Sequence, residues 1–264
     1  MRFGMLANVN SKCNSTVEWF SVDSKSEFVS NSIKLGSNWE YIEKKISYKF
    51  NNQGYRTLDW VDIKWEDSVV VIGCSYTFGL GLAVEDTICN LLSSKFNSPF
   101  INLGVVGSSN QLMFYNSMKL LANGVMPKAV ILLYSDPSRT THFNSNDNTI
   151  IPIGNWIFPT SPVQQVLTLD KSKSLVNFYT DYIRDSNCDV HGTMAAIGVE
   201  ALWKSKNVPV LAYSAYNRTM GSQFNLLPRA VDRSRDLSHP GSNSNKLWSD
   251  FIASDIVSQH IFKF

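Results

Sequence analysis

The sequence predicts an α/β protein, a three-layer α/β/α sandwich around a central parallel sheet. Three observations predict it. A continuous apolar run, Val69-Val70-Val71-Ile72, stops at Gly73 and gives way to a loop carrying Ser75, Gly79 and Gly81. Short apolar, β-branched runs of this kind are strands buried on both faces. Further runs, Phe100-Ile101-Asn102-Leu103 and 129–134, follow, with segments of helical apolar spacing between them. Such alternation builds a parallel sheet with helices on both faces. Right-handed crossovers then bring the strand carboxyl ends to one edge, where open α/β sheets hold their sites.

Taken in order, residues 68–73 form the first strand. Residues 84–96 form a helix, since Val84, Ile88, Leu91, Leu92 and Phe96 recur at helical spacing and Glu85-Asp86 suits its amino-terminal dipole. The second strand is 100–103, the second helix 109–122 with Leu112, Met113, Met118, Leu120 and Leu121 as apolar positions, and the third strand 129–134. Residues 135–170, rich in Asn, Thr, Pro and aromatics including Trp156 and Phe158, read as an insertion over the site, a lid or substrate wall. Helices are expected at 172–187 and 191–206, a fourth strand at 208–213 with Pro209 near its start, an irregular stretch at 214–235, and an amphipathic final helix at 242–261. Residues 1–66 are polar with weak periodicity and read as an extension packed on a main domain at 67–264.

Composition narrows the function. Apolar residues make up 44% and aromatics 12% of the 264 residues, enough for a sizeable core. Net charge is +2, with lysines and arginines scattered, which offers no argument for nucleic acid or an anionic membrane. The four cysteines, Cys13, Cys74, Cys89 and Cys188, fit no zinc spacing and no disulfide framework; Cys74 and Cys89 fall in segments that read as buried. No metal or cofactor is expected, and Cys188 with His191 is a stray pair. The amino terminus lacks a secretory pattern, and no segment approaches the ~20 apolar residues of a membrane span. The expected setting is cytoplasmic or virion-associated, with oligomeric state open.

Two features carry chemistry. Ser75 is delivered to the carboxyl end of the first strand. Asp236-Leu237-Ser238-His239-Pro240 places an acid one turn before an imidazole, ahead of a helix. Together they make a Ser–His–Asp set.

These residues resemble the SGNH hydrolase superfamily, the GDSL-like esterases. Gly73-Cys74-Ser75-Tyr76-Thr77-Phe78-Gly79 is similar to its first block, with Cys where many members carry Asp. Asn102-Leu103-Gly104-Val105-Val106-Gly107-Ser108-Ser109 is similar to the second and Asp236–Pro240 to the last. With Gly54-Tyr55-Arg56 ahead of it, the first block resembles an uncharacterised branch seen in bacteria and their viruses. The resemblance covers roughly 68–261 and implies a flavodoxin-like sandwich. It also implies a serine esterase acting on a small acyl group, such as acetyl on a carbohydrate. Ser75 would be the nucleophile, His239 the base and Asp236 its orienting acid.

The resemblance further implies an oxyanion hole built from the Ser75 and Gly107 N–H groups. The third donor is normally an Asn after the third strand. Here that segment reads Tyr134-Ser135-Asp136-Pro137-Ser138-Arg139, with Asp136 nearest the position. A carboxylate there would repel an oxyanion unless protonated or paired with Arg139, and Ser135 or Asn110 would have to donate instead. Losing one donor costs roughly 10²–10³ in rate. A weak enzyme, a binding or structural module on the same fold, and an acyltransferase with the same triad are therefore the competing expectations. Tyr76, Arg139 and His142 are the candidate substrate-binding side chains, Arg139 for a substrate carboxylate or sugar oxygens.

Overall fold

The computed structural model describes residues 12–143, 150–157, 173–184, 186–216 and 225–261. The extension contributes strand β1 (Thr16–Val17), helix α1 (Lys25–Leu35) and strand β2 (Tyr48–Lys49), which pairs antiparallel with β1. Two 3₁₀ turns, Trp60–Asp62 and Trp65–Asp67, lead into strand β3 (Val69–Gly73). Helix α2 (Ser75–Phe78), helix α3 (Ile88–Phe96), strand β4 (Phe100–Gly104), helix α4 (Asn110–Ala122) and strand β5 (Ala129–Tyr134) follow. The region read as an insertion holds strands β6 (Thr140–Phe143) and β7 (Ile150–Ile153), paired antiparallel, and a 3₁₀ turn at Asn155–Ile157. Residues 144–149 and 158–172, with Phe158, lie outside the described residues. Helices α5 (Lys173–Arg184) and α6 (Asn187–Lys204), strands β8 (Val210–Ser214) and β9 (Asn225–Leu226), and helix α7 (Ser242–Ser258) complete the chain.

The main sheet runs β4-β3-β5-β8-β9, all parallel. The chain steps outward from β3 to β4, then crosses back to β5, so β3 is the switch point of a doubly wound sheet. Alternation along the strands assigns the layers. Val70, Ile72, Ile101, Leu103, Val130 and Leu132 pack on α4 and α6 through Leu112, Leu120, Val199 and Trp203. Val69, Val71, Ile131 and Leu133 pack on α3 and α7 through Ile88, Leu92, Trp248 and Ile252.

The expected helix over 84–96 is broken. Thr87 is extended (φ −75°, ψ 148°) and its hydroxyl accepts from Asn90 N, so a 3₁₀ turn at Val84–Asp86 precedes α3. Within the stretch read as irregular, Asn225–Leu226 adds a fifth parallel strand beside β8. The fourth strand starts at Val210, not 208, because Pro209 carries no N–H for a ladder and only its carbonyl joins, accepting from Val130 N at 2.9 Å.

Tyr41, Ile46, Tyr48 and Phe50 form one apolar cluster with Phe78, Leu80, Leu82 and Ala83. All four cysteines are free, and no described helix is long and apolar enough to cross a membrane.

Candidate active site

Ser75 opens α2 directly beyond β3, at the carboxyl edge of the sheet. The turn is tight because α2 lies against β4: a Cβ on Gly104 would stand 2.3 Å from Phe78 N, which only glycine avoids. Asn102 of β4 secures the same contact, donating to Thr77 O at 2.9 Å while accepting from Gly104 N at 2.9 Å. Cys74 is buried at the cap of α2.

Ser75 Oγ lies 2.9 Å from His239 Nε2, and His239 Nδ1 lies 2.6 Å from Asp236 Oδ2. Asp236 Oδ1 accepts from Ser234 Oγ at 2.8 Å, Ser238 N at 2.9 Å and His239 N at 3.0 Å. These donors hold a turn in which Leu237 takes a left-handed φ of 56°, a cost of roughly 1–2 kcal/mol. Burial pushes the Asp236 carboxyl up, but His239 and the donors Ser238 and Ser234 outweigh it and hold the carboxyl below its ordinary value. A carboxylate held below its unfolded pKa of about 3.9 contributes stability in full above that pH. The contribution is lost as pH falls through the depressed folded value. The melting temperature of the wild type is therefore expected to fall more steeply below about pH 4 than that of Asp236→Asn; parallel curves would contradict it.

The extension, read from sequence only as packing, reaches this turn. Arg235 precedes Asp236 and is buried. Its Nε donates to Asp23 Oδ1 at 2.9 Å and its Nη2 to Asp23 Oδ2 at 2.6 Å and Glu18 O at 2.8 Å. The guanidinium lies over Trp19, 4.0 Å from the ring centroid. Tyr48 O–H donates to Asp23 Oδ2 and accepts from Gly81 N, and Gly81 O accepts from Arg235 N at 3.1 Å. Gly81 thus joins the segment that carries Ser75 to the one that carries His239, and Asp23 braces both. A side chain at Gly81 (φ 76°) would meet Ser234 Oγ at 2.5 Å.

Arg56 braces the other side of the loop. It donates to the carbonyls of Ser47, Phe78, Gly79 and Leu82 and stacks over Tyr48 at 4.7 Å. Burial pulls its pKa down to about 10, so it stays charged at neutral pH. Neither Asp23 nor Arg235 had a signal in the sequence. Arg56 had one in the Gly54-Tyr55-Arg56 segment.

The remaining predicted residues fall into three groups. Ser75 N, at the first position of α2, and Gly107 N, in a turn with φ 77°, have no acceptor among the described residues. Asn110 is committed elsewhere: Oδ1 accepts from Ser135 N at 2.9 Å and Nδ2 donates to Gly192 O at 3.2 Å, so the amide braces the loop after β5 and is not a spare donor. Asp136 Oδ1 accepts from Ser138 N at 2.9 Å and Oγ at 2.6 Å, so this carboxylate caps its own turn and supplies no donor to an oxyanion. Tyr76 stands edge-on to His239, centroids 5.7 Å apart, and stacks on Tyr216 at 5.6 Å. Burial pushes both phenols above their ordinary range, so both are neutral beside the imidazole. His142 is exposed on β6, and nothing among the described residues joins it to Ser75 or His239. Trp156 is buried against Arg139, so its ring offers no open face for stacking a sugar.

No protein-family model matches the chain, and no curated protein does. Solved structures do. The chain is similar to an acetyl xylan esterase, Est2A, from the rumen bacterium Butyrivibrio proteoclasticus, at 10% identity and a TM-score of 0.45, over 76% of this chain and 66% of that one. It is similar to TesA at 12% identity and a TM-score of 0.46, over 74% of this chain and 99% of that one. It is similar to AlinE4, an SGNH-hydrolase family esterase, at 13% identity and a TM-score of 0.40, over 75% and 97% of the two chains. At these identities the likeness is one of fold.

Proposed function

We propose that the chain is a serine esterase of the SGNH type. The observation that carries the reading is the continuous contact from Ser75 Oγ through the His239 ring to Asp236. His239 Nε2 takes the Oγ proton as Ser75 attacks the ester carbonyl. Asp236 holds the ring with its Nδ1 proton inward and stabilises the imidazolium. The carbonyl oxygen becomes an oxyanion that the N–H groups of Ser75 and Gly107 receive. As the tetrahedral carbon collapses, the imidazolium gives its proton to the departing alcohol and an acyl-serine remains. Water then repeats the sequence, losing its proton to His239, and releases the acid with Ser75 restored.

The substrate proposed is a small acyl ester, acetyl on a carbohydrate being the class that the motif resemblance implies. A sugar hydroxyl in place of water would turn the same acyl-enzyme to transfer. One observation favours a second reading: with Asn110 engaged and Asp136 unable to donate, the oxyanion is left two backbone donors and, of the side chains named for the role, only the Ser135 hydroxyl, which is buried without a partner among the described residues, so a binding module with decayed catalysis is the competitor. A fluorophosphonate probe and p-nitrophenyl acetate separate the two. Covalent labelling at Ser75, together with hydrolysis that the label abolishes, is the expected result. An unlabelled serine with no turnover would overturn the esterase reading.

A further inference from the structure

Among Arg56, Arg139 and Arg235, the arginines packed around the candidate site, only Arg139 keeps a buried guanidinium nitrogen without an acceptor. Arg56 is satisfied by backbone carbonyls and Arg235 by Asp23 and Glu18 O. Arg139 lies between the rings of Trp156 and Tyr216, at 5.2 Å and 5.7 Å from their centroids. Its Nη2 donates to Tyr216 Oη at 3.1 Å. Its Nη1 is buried and has no acceptor, and Arg139 forms no ion pair among the described residues. Asp136, the nearest acid along the chain, is turned onto Ser138. The indole Nε1 of Trp156, on the ring that Arg139 contacts, is likewise buried without an acceptor. Two unfilled donors, one of them cationic, therefore sit on touching side chains.

Their place in the fold ties them to the candidate active site. Tyr216 stacks on Tyr76 (5.6 Å, 14° between planes), and Tyr76 stands edge-on to His239 (5.7 Å, 88°). Arg139 follows Tyr216 as the third group out from the imidazole along this row. A guanidinium proton removed from water with nothing to accept it is costly, and a carboxylate is the group whose charge and geometry offset that cost. A neutral sugar hydroxyl would fill the hydrogen bond but bring no charge to the guanidinium.

We infer that Arg139 receives a carboxylate of the substrate, so that the ester cleaved at Ser75 is an acidic one. This rests on the esterase reading. The carboxylate belongs either to the acyl part or to the alcohol part. Arg139 Nη1 donates to it and Trp156 Nε1 supplies the neighbouring donor, while Nη2 keeps its bond to Tyr216. Arg139 as a residue is only partly buried.

The test uses two ester pairs. For the acyl side, p-nitrophenyl hemisuccinate is compared with p-nitrophenyl pentanoate; for the alcohol side, para-acetoxybenzoate with para-acetoxybenzamide. In one pair, Arg139→Gln is expected to lower the acidic-to-neutral ratio of kcat/KM by about ten- to a hundredfold, the range of one charge-assisted hydrogen bond. Arg139→Lys, which keeps the charge, retains part of the preference. The affected pair says which half of the substrate is acidic. Unchanged ratios in both pairs overturn the inference. If wild type cleaves none of the esters, the esterase reading fails and calorimetry with succinate and para-hydroxybenzoate decides the inference alone. Saturable heat with either anion that Arg139→Gln removes sustains the carboxylate site, and heat absent with both anions, or unchanged in Arg139→Gln, overturns it.

Discussion

On the esterase reading, Ser75→Ala is expected to lower kcat/KM for p-nitrophenyl acetate by about 10⁴-fold or more, and His239→Ala to a similar extent. In the proposed mechanism the two side chains act as one device. The serine hydroxyl is a weak nucleophile until Nε2, 2.9 Å away, takes its proton, and without the hydroxyl the imidazole has nothing to activate. The Ser75→Ala/His239→Ala double variant should therefore be about as slow as either single one, because each substitution alone already removes the whole step. Ser75→Ala removes one buried hydroxyl, so its stability should stay within about 1 kcal/mol of wild type. Steady-state kinetics beside a thermal melt check both statements. Rates for the two single variants within tenfold of wild type, with both proteins folded, would end the case for covalent catalysis.

Asp23→Asn is expected to destabilise the protein by about 3–5 kcal/mol, the cost of stranding a buried charge, here the Arg235 guanidinium. For a chain of this length that is a fall in melting temperature on the order of 10 °C. It should also lower kcat at temperatures where the variant is fully folded, with KM little changed. The reason is geometric. Asp23 anchors Arg235, whose N–H is tied to Gly81 O, and Tyr48, whose hydroxyl receives Gly81 N–H. Loosening that brace lets the turn bearing Asp236 and His239 drift from Ser75, and a misplacement near 1 Å costs on the order of 10²-fold. The double variant Asp23→Leu/Arg235→Met should lose less stability than the two single changes added together, since it leaves no charge unpaired. Coupling below about 0.5 kcal/mol would mean the pair is not a unit. A folded Asp23→Asn with wild-type kcat would mean that the extension serves stability alone.

The strands were legible because burial on both faces leaves no polar position, so 129–134 reads the same in the sequence and in β5. The Asp–Leu–Ser–His turn was legible because acid and imidazole lie within one turn of chain, where spacing alone limits their separation. Boundaries were less legible. Helical periodicity from Val84 onward carried through Thr87, because apolar spacing does not register a cap that depends on ψ. The oxyanion side was least legible. In the sequence Asn110 reads as a possible donor, whereas its amide is held by Ser135 and Gly192.

Local order along the chain is what this sequence determined by itself: where strands and helices fall, that a hydroxyl ends one strand, that an acid and an imidazole share a late turn. Those properties depend on neighbours within a few residues, whose side chains set period, turn and spacing. Tertiary structure decided the rest. It decided that Asp23 and Arg235, 212 residues apart, meet in the core, and that Arg139 keeps a buried donor with no acceptor. Whether a polar group is satisfied depends on which distant group the fold brings within about 3 Å, and no local pattern encodes that distance.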